Sequence, residues 1–170
     1  MADVFLGLGG NEGNREANLK KAIRLLSESK DIKIRAVSSL YETAPVGVQN
    51  QRDYMNCVVR ITTKLAPQSL HRTTRSIEAA LGRQPDTHMK PRLLDIDILL
   101  YDDIEHRSPN LTIPHPRMKS RRFVLEPLLE IAPDIADPLT GRPLREYLGN
   151  VMSQKIEKTM DAVEITDELG

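Results

Sequence analysis

The sequence lacks tryptophan altogether, and its six Tyr and Phe residues make up only 4% of the chain. Isolated aromatics of this kind read, from spacing alone, as core residues, and that is the expectation for Tyr54 and Phe123. Cysteine is nearly absent too. Cys57 stands alone, which excludes an intrachain disulfide and suits a reducing compartment. Charge of either sign is not in excess: 24 basic and 24 acidic side chains cancel, so global charge does not steer the protein toward nucleic acid or membranes. Any anion site must come from local clustering. No apolar run approaches bilayer length, and the first residues lack a basic segment followed by an apolar core. A cytoplasmic protein without membrane or nucleic-acid partners is the expectation.

What is present is a soluble globular balance, 39% hydrophobic and 28% charged, over 170 residues. That length buries a core without staples. Val4, Phe5, Leu6 and Leu8 predict a buried strand, with a tight turn at Gly9-Gly10-Asn11-Glu12-Gly13. Asn14 caps a helix whose apolar face is Leu19, Ala22, Ile23 and Leu26. Alternation over residues 32–41 predicts one strand, and residues 43–52 a loop. A further strand covers 54–63. Pro67 opens a second helix, with Leu70, Thr73, Thr74, Ile77 and Leu81 inward and Gly82 at its end. Residues 83–90 have no hydrophobic period and read as a mobile loop. Residues 93–101 form the clearest strand, 123–129 a helix, and 144–160 one more helix. An acidic tail at 161–170 reads as flexible. The order gives a single α+β domain over residues 1–160. A ferredoxin-like antiparallel or mixed sheet with helices packed on it leads.

The chemistry concentrates in Pro91-Arg92-Leu93-Leu94-Asp95-Ile96-Asp97. Strand side chains alternate faces, so Asp95 and Asp97 point the same way while Leu94, Ile96 and Ile98 bury the other face. Two adjacent carboxylates repel unless a cation lies between them, and a hard divalent ion such as Mg²⁺ binds such a pair together with substrate phosphates. Solvated aspartates blunting a sheet edge are the plainer alternative, but Asp is depleted in strands and here interrupts an apolar run twice. Arg83, Lys90 and Arg92 lie nearby in sequence, and His115, Arg117, Lys119, Arg121 and Arg122 form a second cationic cluster. Arginine forks suit phosphate oxygens, so the set reads as a triphosphate site. The glycine turn matches neither the P-loop nor the dinucleotide fingerprint.

Several motifs, in order, resemble the 6-hydroxymethyl-7,8-dihydropterin pyrophosphokinases of folate synthesis. They are Gly9-Gly10-Asn11, Tyr41-Glu42-Thr43-Ala44-Pro45-Val46-Gly47, Gln51-Arg52-Asp53-Tyr54-Met55-Asn56, Ile77-Glu78 and Gly82-Arg83. Pro91-Arg92-Leu93-Leu94-Asp95-Ile96-Asp97-Ile98-Leu99, Ile113-Pro114-His115-Pro116-Arg117-Met118 and Arg121-Arg122-Phe123-Val124-Leu125 complete the set, across residues 4–133. The resemblance implies a ferredoxin-like fold and transfer of pyrophosphate from MgATP to the pterin hydroxymethyl group, releasing AMP. It implies that Asp95 and Asp97 hold two Mg²⁺ ions, that Arg83 and Arg92 act on the phosphates together with Asp97, and that Glu78, Arg92, Ile98, Thr112, His115 and Arg121 bind ATP. The pterin would stack between Tyr54 and Phe123, hydrogen-bond Asn56, approach Asp95, and take backbone contacts from Thr43 and Val46. A monomer binding only these small molecules is expected.

The sequence departs from the family's pattern at Gln84, Pro85, Met89 and Lys90, where basic residues, an aromatic and a glycine are usual. A more slowly gated lid is the expectation. A weak or inactive pterin- or nucleotide-binding paralogue is the alternative reading. A ferredoxin-like RNA-binding module is disfavoured by the strand aspartates and neutral net charge.

Overall fold

A computed structural model of the protein describes residues 1–44, 52–82, 93–162 and 164. Val46 and most of the expected loop at 43–52, Arg83, Arg92, the expected loop at 83–90 and most of the acidic tail lie outside the described residues. The main sheet is built on β1 (Ala2–Gly10), which pairs antiparallel with β4 (Tyr54–Thr63) on one side and β5 (Asp95–Tyr101) on the other. Along β4 lie β2 (Ile32–Val37) and then β3 (Leu40–Thr43), both antiparallel to it. The last strand, β8 (Ile156–Met160), adds antiparallel to β3. Among the described residues every pairing in the sheet is thus antiparallel. A separate hairpin joins β6 (His106–Ser108) to β7 (Leu111–Ile113).

Among the described residues three α-helices cover the sheet: α1 (Arg15–Glu28), α2 (Pro67–Ala80) and α3 (Arg122–Ile131). The Asn14 side chain accepts the Ala17 N–H and caps α1, and Pro67 begins α2, as the sequence predicts. Leu19, Ile23 and Leu26 of α1 and Leu70 and Ile77 of α2 pack with Leu6, Leu8, Ile61, Ile96 and Ile98 into the larger core. On the opposite face α3 brings Val124 and Leu128 onto Phe5, Val58, Leu99 and Leu100. Helices cover only part of that second face. The uncovered part is the cleft described below.

Three expectations are corrected. Gly9 and Gly10 continue β1 rather than forming a turn, because each is paired in the ladder to β4. Residues 32–41 are not one strand. Ser38 and Ser39 interrupt it, with the Ser38 Oγ accepting the Val58 N–H at 2.8 Å and the Glu130 carboxylate accepting the Ser39 N–H and hydroxyl. The proposed helix over 144–160 is a 3₁₀ segment, Leu144–Val151, followed by β8. Backbone groups on the edge of β3 pair with β8 from Leu40 to Thr43, with one irregularity between Leu40 and Tyr41, and this pairing overrides a weak helical pattern.

The buried Asp137 carboxylate fixes the segment that carries the second cationic cluster. It accepts from Lys119 Nζ at 2.8 Å, the Leu139 N–H at 2.9 Å and the Thr140 hydroxyl at 3.2 Å. Burial alone would raise its pKa, but the Lys119 ammonium and these donors outweigh burial and hold it below the usual carboxylate range. The folded pKa thus lies below the unfolded one, so the contribution is complete above the unfolded value and fades as pH falls through the folded one. Asp137→Asn is expected to cost about 2 kcal/mol at neutral pH. In urea unfolding, its deficit against wild type should shrink as the pH drops below about 4.

Candidate active site

The cleft is made by the absence of two side chains. Across the sheet, Asp95 of β5 stands opposite Gly9 of β1, which stands opposite Asn56 of β4. One step along, Asp97 stands opposite Gly7, and Gly7 opposite Val58. Directly opposed residues share a face, so each carboxylate is separated from β4 by a residue with no side chain. The result is a cleft of about 440 Å³, bordered by Thr43, Tyr54, Asn56, Asp95, Asp97, His115, Arg121 and Phe123. Gly9 is required there: a Cβ would collide with Asn56 Oδ1. At Gly7 a Cβ would press on the Leu99 side chain at 3.3 Å.

Asp95 and Asp97 are partly exposed into this space, while Leu94, Ile96 and Ile98 are buried behind them, as alternation predicts. Strand β5 is a sheet edge, and its outward Ile96 N–H would be an orphan donor. Glu78 of α2, itself 1% exposed, accepts that N–H at 2.8 Å with Oε2. Its Oε1 accepts from Arg75 Nη1 at 2.9 Å, and Arg75 lines the cleft. One buried carboxylate therefore grips the backbone between the two aspartates and orients a cleft cation.

His115 approaches from the other end. Its backbone N–H donates to the Leu99 carbonyl at 2.9 Å, and its Nδ1 accepts the Arg117 N–H at 3.2 Å. In the neutral ring that acceptor role leaves the proton on Nε2, which lies 3.9 Å from Asp97 Oδ2. Burial lowers the His115 pKa, Arg121 and Arg117 lower it further, and Asp97 opposes them. The Arg121 guanidinium lies 5.4 Å from the Phe123 ring centre, so cation and aromatic share one wall of the cleft. At the far end, the buried Asn56 donates from Nδ2 to Thr43 Oγ1 at 3.0 Å, which fixes its carboxamide.

Not every expected residue faces the cleft. Ile98 is in the larger core, and Glu78 sits beneath β5. Thr112 borders a neighbouring cavity of about 490 Å³ that shares His115 and Pro116 with the cleft. Arg75, Gly7 and Leu99 border the cleft without being singled out by sequence. Arg75 carried one signal, its i,i+3 spacing from Glu78. Cys57 lies 1% exposed in the core behind β4, and burial followed by the Glu130 charge pushes its thiol up to about 12.

The residues present fit a hard cation. Asp95 and Asp97 are oxygen donors on one strand face, open to the cleft. Among the described residues no group of three or more His, Cys, Asp and Glu side chains could hold a metal. A cation here would therefore complete its shell with phosphate and water oxygens, the usual habit of Mg²⁺.

Paired carboxylates, arginines and a half-buried histidine converging on one cleft are the equipment of an enzyme that handles a phosphorylated nucleotide. Residues 5–133 match the model of the 7,8-dihydro-6-hydroxymethylpterin-pyrophosphokinase family. The chain is 40% identical over 147 residues to the 2-amino-4-hydroxy-6-hydroxymethyldihydropteridine pyrophosphokinase of Aquifex aeolicus, covering 86% of this chain and 91% of that protein. It is 39% identical over 153 residues to the folic acid synthesis protein fol1 of Schizosaccharomyces pombe, covering 90% of this chain but only 21% of that longer protein. In structure it is similar to the Plasmodium falciparum HPPK-DHPS chain, with a TM-score of 0.70 at 17% identity, over 90% of this chain and 44% of that one. This likeness bears on the fold, which is ferredoxin-like α+β. The chain belongs to the 7,8-dihydro-6-hydroxymethylpterin-pyrophosphokinase family, and it is an ATP-dependent pyrophosphokinase of folate biosynthesis.

Proposed function

We propose that the cleft divides between the two substrates along the rows of β1, with the pterin over Gly9 and Asn56 and the ATP phosphates over Asp97, His115 and Arg121. The observation that carries this reading is the row Asp95–Gly9–Asn56. Two strand spacings are about 10 Å. A flat heterocycle hydrogen-bonded to Asn56 and lying over Gly9 would therefore bring its hydroxymethyl group to the carboxylates. Tyr54 and Phe123 border the same space and would supply its stacking faces. Thr43 locks the Asn56 carboxamide, so the recognition edge is set before the ligand arrives.

In the transfer, the hydroxymethyl oxygen attacks the β-phosphorus of ATP. The bond from that phosphorus to the α–β bridging oxygen breaks, AMP leaves with that oxygen, and the hydroxyl proton is released. Asp95 and Asp97 would hold two Mg²⁺ ions, which when bound would supply positive charge to neutralise and align the triphosphate. Arg121 and Arg75 would bind phosphate oxygens, Arg121 braced by Phe123 and Arg75 by Glu78. His115, kept neutral by burial and its arginine neighbours, would donate from Nε2 rather than add charge. Thr112, Ile98 and Glu78 support the nucleotide side from around the cleft, and Arg83, Arg92 and Val46 are assigned by family motif alone. We take residues 1–160 to act as one cytoplasmic, monomeric domain.

The test is product analysis with MgATP and 6-hydroxymethyl-7,8-dihydropterin. AMP and the pterin diphosphate should appear in equal amounts. Formation of ADP, or no AMP while pterin still binds, would overturn the assignment.

A further inference from the structure

Arg15 occupies the first position of α1, where a cation faces the like-signed end of the helix dipole and gains nothing from the helix itself. Its side chain, 17% exposed, turns away from the helix to the sheet. Arg15 Nη1 donates to Glu42 Oε1 at 2.7 Å and to the Asp53 carbonyl at 2.8 Å. Glu42 is near the end of β3, and Asp53 directly precedes β4, so one guanidinium nitrogen ties together the two strand ends on either side of residues 45–51. Two further bonds secure the same place. The buried Asn11 donates from Nδ2 to the Arg52 carbonyl at 3.1 Å, and Arg52 Nη1 donates to the Gly13 carbonyl at 2.9 Å.

The residues next to these anchors are Thr43, after Glu42, and Tyr54, after Asp53. Thr43 pairs with Tyr54 across the ladder and accepts from Asn56. These three residues form the pterin end of the cleft, yet Arg15 does not border that cleft. We propose that Arg15, through Glu42 and the Asp53 carbonyl, is a positioning residue for pterin recognition, setting where Thr43, Tyr54 and Asn56 stand relative to β1. This rests on the assignment of that end of the cleft to the pterin. The nucleotide end is built from β5, α2 and the segment around His115, none of which Arg15 contacts in these bonds. The two substrates should therefore respond differently to its loss.

Steady-state AMP formation by the full chain, with each substrate varied in turn, tests this. Arg15→Ala should raise the pterin KM about tenfold and leave the ATP KM within about twofold. Arg15→Lys should recover part of the loss. Glu42→Gln, which keeps the side-chain shape, should shift the pterin KM in the same direction and serves if Arg15→Ala folds poorly. An unchanged pterin KM in both Arg15→Ala and Glu42→Gln would overturn the proposal. So would a parallel rise of both KM values with a lowered Tm, which marks general support of the fold. Direct titration of wild type with pterin separates the two readings: no binding there would overturn the cleft assignment, whereas binding that the variants leave unaltered overturns only the role of Arg15.

Discussion

Asp97→Asn is expected to reduce turnover by about a thousandfold, and Asp95→Asn by a comparable factor, with folding intact. Asparagine matches aspartate in shape, so the strand and its pairing to Gly7 and Gly9 are retained. What is removed is one negative charge from a pair that opens on the cleft within reach of His115. Urea unfolding of each variant beside wild type checks that the fold is retained. The deficit should appear in kcat for AMP release at saturating substrates. For Asp97→Asn, pterin affinity measured by direct titration should change little, because Asn56, Thr43, Tyr54 and Phe123 are untouched. Near-normal turnover in both variants would sink the assignment of these carboxylates to the phosphate chemistry. The expected effect is large because the carboxylates would hold the Mg²⁺ that neutralises the triphosphate, and a neutral carboxamide is a far weaker ligand for a hard cation.

Gly9→Ala should lower kcat/KM for the pterin by about a hundredfold, a loss larger than any change in the ATP KM. The new methyl group would enter the space of Asn56 Oδ1, and the carboxamide cannot simply swing aside. It is buried, bonded to Thr43 Oγ1, and bordered by the ladder through Tyr41 and Gly9. Either the carboxamide rotates and breaks the Thr43 bond, or β1 and β4 separate locally. Overpacking of this kind costs about 1–3 kcal/mol of stability, which thermal or urea unfolding would register. A variant with wild-type pterin KM would show that Asn56 is not the recognition group. Gly7→Ala meets a flexible leucine side chain rather than a fixed polar atom, and should be the milder change.

The parts of this enzyme that local chemistry dictates were legible in the sequence. Alternation around Asp95 and Asp97 gave the facing of β5, and Asn14 and Pro67 marked two helix starts. Tyr54 and Phe123 are a different case: spacing alone assigned them to the core, and only the resemblance of their surrounding motifs drew them toward the cleft they border. The misread parts depend on neighbours remote in sequence. Gly9-Gly10 looked like a turn because glycine is most often needed for backbone freedom, whereas Gly9 is needed here for the space taken by Asn56. Ile156 and Met160 carry too little apolar pattern to announce β8, whose existence depends on the open edge of β3. Arg75 is hard to read from sequence because an exposed arginine on a helix is ordinarily a solvated one. Its partner Glu78 is buried and accepts the Ile96 N–H of β5, a strand remote from it in sequence.

The pairing of β1 with β5 contains an irregularity: Phe5 stands opposite Leu100 and Leu6 opposite Ile98, leaving Leu99 without a partner. Before that point β5 alternates between chemistry and core; after it, Leu99 and Leu100 both enter the cluster beneath α3. The extra residue acts as a phase shifter within a single strand. A one-residue slip would ordinarily turn every side chain of a strand to its opposite face. Here the shift is confined to one joint, so the hydrophobic half of β5 can be reset without rotating the aspartates out of the cleft. The joint lets one strand obey two patterns, that of a cleft wall and that of a packed interior, without either dictating the phase of the other.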